Sequence, residues 1–408
     1  MEKFSEKQPD QTFFMRRAIE LARKGEGWTS PNPLVGAVIV KDSKIIGEGY
    51  HHLYGGLHAE REALADCQKR GNDARGADIY VTLEPCAHFG KQPPCSHALV
   101  EAGLKRVFVG SRDPNPLVSG KGNAYLRENG IEVVEDFLRS ECDSLNPVFF
   151  HYITNNLPYV VLKYAMTADG KIATVSGKSK WISGEESQAF VQTLRNRYSA
   201  ILCGIGTVLA DDPMLNCRLP GGKNPLRIVL DSGLKIPLES RLVTSAKEIP
   251  LVIAAVNPQS KWQKAEESRQ KGVWADSSES ISFSHSEMEE FSSKKEALEK
   301  AGAQVLLLSA DSGGKASLQE LLREVALMKI DSILVEGGGE VNYSFLKENL
   351  VNYIYAFISP KIFGGSAAKS PVSGAGVLEV EEAFNFEIEN VRNFGKDLLL
   401  EMKKCSQE

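Results

Sequence analysis

Short apolar runs of strand type alternate with segments of helical period along this chain, and the alternation stops and restarts once, near residue 157. TFFMRRAIELARKG spaces apolar residues three and four apart and ends at a glycine. LVGAVIV and KIIGEGY read as strands joined by the turn-like KDSK, HAEREALADCQKRG as a helix, ADIYVTLEPC as a strand ending at proline, and PPCSHALVEAG as a helix with prolines at its start. RVFVGS, NAYLRENG and IEVVED continue as strand, helix and strand, and NPVFFHYITNNLP leads out. PYVVLKYAMTADGKIA then restarts the pattern; AILCGIG, LRIVLDSG, PLVIAAV, QVLLLSAD, DSILVEG, YIYAFISPKIFGG and KDLLLEMKK are strands set among helices such as SLQELLREVALMK. Such alternation predicts a layered α/β domain with a largely parallel sheet in the first segment and a second α/β unit after the restart. At 408 residues the chain exceeds the size at which one core stops growing, so the restart is read as a domain boundary, with domains at 1–150 and 157–408. The polar, serine- and glutamate-rich stretch at about 257–296 reads as a solvated surface excursion.

Charge and leader features narrow the partners. The net charge of −5 argues against nucleic acid as an obligatory partner, because phosphate binders carry a basic face. MEKFSEKQPDQ has no apolar core of a secretory signal, and no run reaches the roughly 18 apolar residues of a membrane span, so a cytoplasmic protein without a membrane partner is expected. Seven scattered cysteines do not form a disulfide framework.

LHAEREAL, residues 57–64, sets an imidazole and a carboxylate two residues apart at a helix start, where they do not face each other but can approach one small object from two sides. LEPCAHFGKQPPC, residues 83–95, adds Cys86 after a proline at a strand end and Cys95 after two prolines at a helix start, where free N–H groups stabilise a thiolate. One neutral imidazole, His58, and two thiolates balance a zinc ion and leave a fourth tetrahedral position open, which is the catalytic pattern. Zinc lowers the pKa of a bound water towards 7, and Glu60 is the residue to carry its proton. His-x-Glu followed by Pro-Cys is the pattern of zinc deaminases, although their second cysteine follows after two residues and here eight intervene. A zinc-stabilised binding module is the non-enzymatic alternative, and a nucleic-acid deaminase the alternative within the same chemistry. In the second half, VEGGGEVN is strand, glycine turn and helix start, suited to an anion or to close packing alone; it matches neither G-x-G-x-x-G nor a Walker motif. Gly204, Gly206, Asp211 and Asp212 in GIGTVLADDP are similarly open.

The long gap in LEPCAHFGKQPPC, together with PNPLVGAVIV and DPNP, resembles the deaminase domain of the bifunctional riboflavin biosynthesis deaminase/reductases. KYAMTADGKIA, SKWISG, GIGTVLADDP, LRIVLDSG and VEGGGEVNYSF resemble the reductase half in order and spacing. The resemblance implies a cytidine-deaminase-like three-layer domain followed by a dihydrofolate-reductase-like α/β domain, which accounts for the absent dinucleotide fingerprint. It implies zinc and NADPH as cofactors, a phosphoribosyl pyrimidine as substrate, and a homodimer through the reductase half. Asn32 and His51 would contact the pyrimidine, and Lys91 and His88 its ribose phosphate. NADPH would lie against Ala165, Trp181, Thr207, Asp211, Ser232 and the turn Gly338, Gly339, Glu340, Val341, Asn342, Tyr343 and Ser344. The second substrate would meet Lys163, Ser179, Arg195, Leu215, Arg218 and Glu336. Gln92 stands where the family often has threonine, and Asn216 and Cys217 where it more often has threonine and an apolar residue.

Overall fold

The computed structural model describes residues 10–87, 93–115, 118–259 and 285–405. The chain divides into two compact units, Met1–Leu157 and Pro158–Glu408.

The first unit opens with α1 (Gln11–Arg23), capped by Asp10, whose carboxylate accepts the Thr12 amide; Phe14, Met15, Ala18, Ile19 and Ala22 are buried on one stripe. Next come β1 (Gly36–Lys41), β2 (Lys44–Tyr50), α2 (Ala59–Lys69), β3 (Asp78–Leu83), α3 (Cys95–Glu101), β4 (Arg106–Ser111), α4 (Lys121–Glu128), β5 (Glu132–Val134), α5 (Arg139–Asp143) and α6 (Pro147–Asn155). Residue 150 lies inside α6, an apolar helix with proline at its first turn, and the compact unit continues to Leu157. The sheet order is β2-β1-β3-β4-β5. Only β3/β4 and β4/β5 are parallel; β1 is antiparallel to both its neighbours, so the largely parallel sheet expected here is a mixed one. The reason is local. KDSK closes a two-residue hairpin with Asp42 and Ser43 at φ 50° and 59°, leaving no room for a crossover.

Strand alternation divides the core into two layers. Ala37, Ile39, Ile79, Val81, Val107 and Val109 pack with Ala59, Ala63, Leu99 and Leu126 from the helices on one face. Val38, Val40, Tyr80 and Phe108 pack with α1, Cys142 and Leu145 on the other. Helix α2 lies almost on the backbone of β2. A Cβ at Gly49 would stand 2.3 Å from the Ala63 amide and 2.5 Å from the Ala59 carbonyl oxygen. That contact fixes the start of α2, and with it His58 and Glu60.

The second unit holds β6 (Tyr159–Thr167), α7 (Glu185–Arg197), β7 (Ala200–Gly204), α8 (Ile205–Asp211), β8 (Leu226–Leu230), α9 (Arg241–Thr244), β9 (Leu251–Val256), α10 (His285–Lys300), β10 (Gln304–Leu308), α11 (Leu318–Leu327), β11 (Ser332–Val335), α12 (Gly339–Lys347), β12 (Tyr353–Ser359), β13 (Phe386–Phe394) and β14 (Asp397–Lys404). Its sheet runs β10-β9-β8-β7-β11-β6-β12-β14-β13, parallel from β10 to β12 and antiparallel through β14 and β13. The chain steps outward from β6 to β10, then returns to place β11 between β7 and β6. The carboxyl ends of the strands beside such a reversal form a crevice, and that is where ligands bind in open α/β sheets. No helix among the described residues is long and apolar enough to cross a membrane.

Candidate active sites

In the first unit, His58 is the N-cap residue of α2, Cys86 follows β3, and Cys95 opens α3. Sheet order brings these three starts and ends to one place. His58 Nδ1 lies 3.6 Å from Cys86 Sγ and 3.4 Å from Cys95 Sγ, and the three ligand atoms all fall within 4.8 Å of one another. The Cys95 amide donates to Cys86 Sγ at 3.4 Å, and the Ser96 amide to the Cys86 carbonyl at 3.1 Å. The contact with Cys95 holds the Cys86 thiol below its ordinary range, while Cys95, which shares that contact and is buried, is pushed up. Donation to Cys86 raises His58.

Glu60 is buried beside them at 3% exposure. Burial, helped by the charge of Cys86, pushes its carboxyl up to about 7. The cavity it lines has a volume of about 300 Å³ and includes Asn32, His51, Glu84, Asp113, Asn115 and, from α6, Phe149 and Tyr152. His51 Nδ1 meets the Leu57 carbonyl at 2.9 Å, so Nδ1 is the donor and Nε2 the acceptor. The Asn32 amide therefore donates to His51 Nε2 at 3.3 Å, and its carbonyl oxygen remains for another group. Burial lowers His51, which keeps the ring neutral and this network in register. His88, Lys91 and Gln92 lie outside the described residues.

Two carboxylates of this cavity were not expected from the sequence. Glu84 accepts the amides of Gly120, Gly122 and Asn123 at the start of α4, at 3.1, 3.2 and 3.5 Å. Asp113 accepts the Asn115 amide at 2.8 Å, and burial pushes it up to about 6. DPNP, directly after β4, was the available signal for Asp113.

In the second unit, a cavity of about 670 Å³ opens at the carboxyl ends of β7, β8 and β11. Thr207, Asp211, Ser232, Gly338, Gly339, Glu340, Val341 and Ser344 line it, as does Ser179, whose hydroxyl donates to Asp211 at 3.0 Å. Ser232 Oγ accepts the Ala316 amide at 3.1 Å. Two of the three glycines at the start of α12 are needed for closeness rather than for left-handed backbone: a Cβ on Gly337 would stand 2.9 Å from Val341 Cβ and one on Gly339 2.6 Å from the Ser370 carbonyl oxygen, whereas Gly338, at φ −74°, has room for one.

Lys163, Arg195 and Glu336 form a separate cluster. Arg195 holds Glu336 with two hydrogen bonds of 2.8 and 3.0 Å, and Lys163 lies 3.5 Å away. Burial pushes Glu336 up, but the two cations outweigh it and hold the carboxyl at about 2. Leu215 is packed in the β7–β10 core at φ 49°, and Arg218 is exposed, its amide donating to Gln192. Ala165 pairs with Phe357 on β12. Asn342 and Tyr343 bond the carbonyls of Pro371 and Gly376. Trp181 is 72% exposed at φ 67°, its carbonyl gripped by Lys361.

Residues 8–111 match the family model of the cytidine and deoxycytidylate deaminase zinc-binding region, and residues 158–400 match the RibD C-terminal domain. The chain is 48% identical over 388 residues to the riboflavin biosynthesis protein RibD of Actinobacillus pleuropneumoniae, covering 95% of this chain and 94% of that protein. It is 40% identical to the RibD of Aquifex aeolicus, covering 96% and 98%. Among solved structures it resembles the diaminohydroxyphosphoribosylaminopyrimidine deaminase/5-amino-6-(5-phosphoribosylamino)uracil reductase of Thermotoga maritima, with TM-score 0.78, 38% identity and coverage of 96% and 98%.

Proposed function

The chain belongs to the RibD family, the bifunctional deaminase/reductases of riboflavin biosynthesis, and on that premise we propose which residues carry each reaction, with which cofactor and on which substrate. The first reaction is deamination of 2,5-diamino-6-ribosylamino-4(3H)-pyrimidinone 5′-phosphate in the cavity around Glu60. The second is reduction of its ribosyl group to ribityl in the second unit, giving 5-amino-6-(5-phosphoribitylamino)uracil.

The donor set fits zinc. Tetrahedral bonds of about 2.0–2.3 Å place nitrogen and sulfur ligands roughly 3.5 Å apart. The separations of 3.4 and 3.6 Å between His58 and the two thiols meet that requirement, and Cys86 and Cys95 supply the charge. A zinc ion held by His58, Cys86 and Cys95 would leave a fourth position for water and bring that water's pKa towards 7. Glu60, with its carboxyl near 7, accepts a proton from the attacking water and returns it to the departing amine, so that ammonia leaves. Asn32 presents its free carbonyl oxygen to the pyrimidine edge, and His51 holds that amide in orientation. Lys91 and His88, which lie outside the described residues, are assigned to the ribose phosphate by the family resemblance alone.

In the second unit NADPH, when bound, supplies a hydride to C1′ of the opened sugar. Thr207, Asp211, Ser232 and the start of α12 from Gly338 to Ser344 hold the cofactor, with Ala165 and Trp181 against it. Amides at a helix start suit its phosphates. Ser179, Arg195, Leu215, Arg218, Glu336 and Lys163 position the sugar phosphate: the exposed Arg218 suits phosphate with two parallel hydrogen bonds, whereas Arg195, bonded to Glu336 and to the Asn216 carbonyl, braces the site. The chain works as a homodimer through this unit. The edge strand β13 leaves Ile388 and Val391 57% and 54% exposed, and sedimentation of the intact chain tests the pairing: a monomer at micromolar concentration overturns it. The compartment is the cytoplasm.

The observation that carries this reading is the convergence of His58, Cys86, Cys95 and buried Glu60 on one cavity. A coupled assay tests it. Zinc-loaded protein is given the diaminopyrimidine ribotide and ammonia is followed; NADPH is then added and its oxidation followed. Ammonia release and then NADPH oxidation are expected. Ammonia without NADPH consumption would remove the cofactor assignment. No ammonia from protein holding one zinc would remove the substrate and bring a nucleic-acid substrate forward.

A further inference from the structure

Helix α2 carries His58 and Glu60, and its next residue is Arg61. A cation in the first turn of a helix faces the positive end of the dipole, which disfavours it. Among the described residues Arg61 has no carboxylate partner. Its guanidinium instead grips two successive carbonyls of another segment, Pro93 O from Nε at 3.3 Å and Pro94 O from Nη2 at 3.2 Å. The segment is short of anchors of its own. Two prolines in a row remove two backbone donors, and Pro94, the N-cap residue of α3, offers no side-chain cap. The carbonyls of Pro93 and Pro94 are therefore the polar groups these two residues offer, and Cys95 follows directly, its amide and that of Ser96 turned to Cys86.

Spacing makes the grip matter. Eight residues separate the two cysteines, and the cost of closing a loop between two ligands rises with its length. Cys86 is fixed by its own strand end, where Glu84 bonds the start of α4. Cys95 has no such strand. Resting on the zinc reading above, we propose that Arg61 is a positioning residue for Cys95: its two-pronged hold on Pro93 and Pro94 ties the second thiolate ligand to the helix that bears the first ligand and the proton carrier. One helix then sets the relative places of His58, Glu60 and Cys95, independently of the sequence between the cysteines.

The test is metal binding in the full chain. Zinc affinity is measured by competition with a chromogenic chelator for wild type, Arg61→Lys and Arg61→Ala, and cobalt(II) is loaded to read the thiolate-to-cobalt charge-transfer band, with Cys95→Ser as the one-thiolate reference. Partners that orient metal ligands are worth 10- to 100-fold in affinity. Arg61→Ala is expected to lose about that much and to shift its cobalt band towards the Cys95→Ser spectrum. Arg61→Lys, which reaches one carbonyl at a time, falls between. NADPH oxidation on preformed deaminated substrate stays at the wild-type rate in all of them. Unchanged affinity and an intact band in Arg61→Ala overturn the positioning role and leave the zinc site standing. A wild-type protein without the band overturns the zinc reading itself. Should the alanine variant not fold, Arg61→Gln keeps the stem and one donor group: reduced affinity with a weakened band supports the role, and wild-type binding overturns it.

Discussion

Two buried glutamates mark the two regions of this chain, and their surroundings drive them in opposite directions. Glu60 has few compensating charges, and burial lifts it to about 7. Glu336 is largely buried, its side chain 11% exposed, yet Arg195 and Lys163 hold it at about 2. A carboxyl near neutrality can take and return a proton within one turnover; one locked between two cations cannot. On the proposed reading the first region places its chemistry on a side chain, whereas the second fixes an anion to orient cations and leaves the reaction to a cofactor and to geometry.

The largest effect that could break this contrast lies at Glu60. Glu60→Gln keeps the shape and removes the proton carrier, and general acid–base groups contribute about 10²- to 10⁴-fold. Ammonia release should fall by that order, while NADPH oxidation on preformed deaminated ribotide keeps its rate. Equal loss of both would mean that one site serves both reactions.

Glu336→Gln probes the other pole. It strands Arg195 and Lys163, whose side chains are 12% and 15% exposed, and removing one partner of a buried ion pair costs about 3–5 kcal/mol. Calorimetry should show the second unit destabilised and reduction lost, with ammonia release retained. The sign with pH follows from the depressed value. Ionised Glu336 contributes stability in full above its unfolded pKa of about 4.3, and that contribution disappears as pH falls towards about 2. The variant should lack this acid limb; an identical limb in both proteins would place the pH dependence elsewhere.

How much of this could be read from the sequence differs between the regions for the same physical reason. His58, Glu60, Cys86 and Cys95 are legible because their chemistry lies in side-chain identity and their contexts in short motifs. Glu84 is not, because its partners are amides of α4, 36 to 39 residues away, and an amide carries no sequence signature. The parallel sheet expected of the first unit failed at a hairpin that KDSK itself announced. In the second unit β13 is not legible in the sequence because it is exposed on both faces and shows no alternation. The walls of the larger cavity are mostly backbone and small residues, which the residue pattern describes poorly. Of the residues expected against the cofactor, Thr207, Asp211, Ser232 and the start of α12 line it, whereas Asn342 and Tyr343 are spent on the loop at 371–376.

Gly339 sharpens that last point. Its missing side chain leaves room for the Ser370 carbonyl oxygen, 2.6 Å from where a Cβ would stand, and that oxygen belongs to rigid backbone. Overpacking of this kind costs about 1–3 kcal/mol. Gly339→Ala should lower the melting temperature of the second unit and weaken NADPH binding in a fluorescence titration, without change in ammonia release. Binding at wild-type strength would show that the 370–373 loop gives way and that the glycine turn serves packing alone.

The smallest effect is expected at Asn32. Its amide is oriented through His51 by the Leu57 carbonyl, a chain of hydrogen bonds that ends in a free carbonyl oxygen at the cavity. One hydrogen bond to a substrate edge is worth about 0.5–1.5 kcal/mol, and leaving its partner unmet in the bound state adds to that. Asn32→Ala should therefore raise KM for the diaminopyrimidine by about tenfold and lower kcat little, because the contact exists before and during the reaction. His51→Ala should produce the same KM change through loss of orientation, and the double variant should cost no more than either alone. Additive losses would show that the two residues touch the substrate independently, and that the first cavity recognises its pyrimidine with two separate groups instead of one oriented amide.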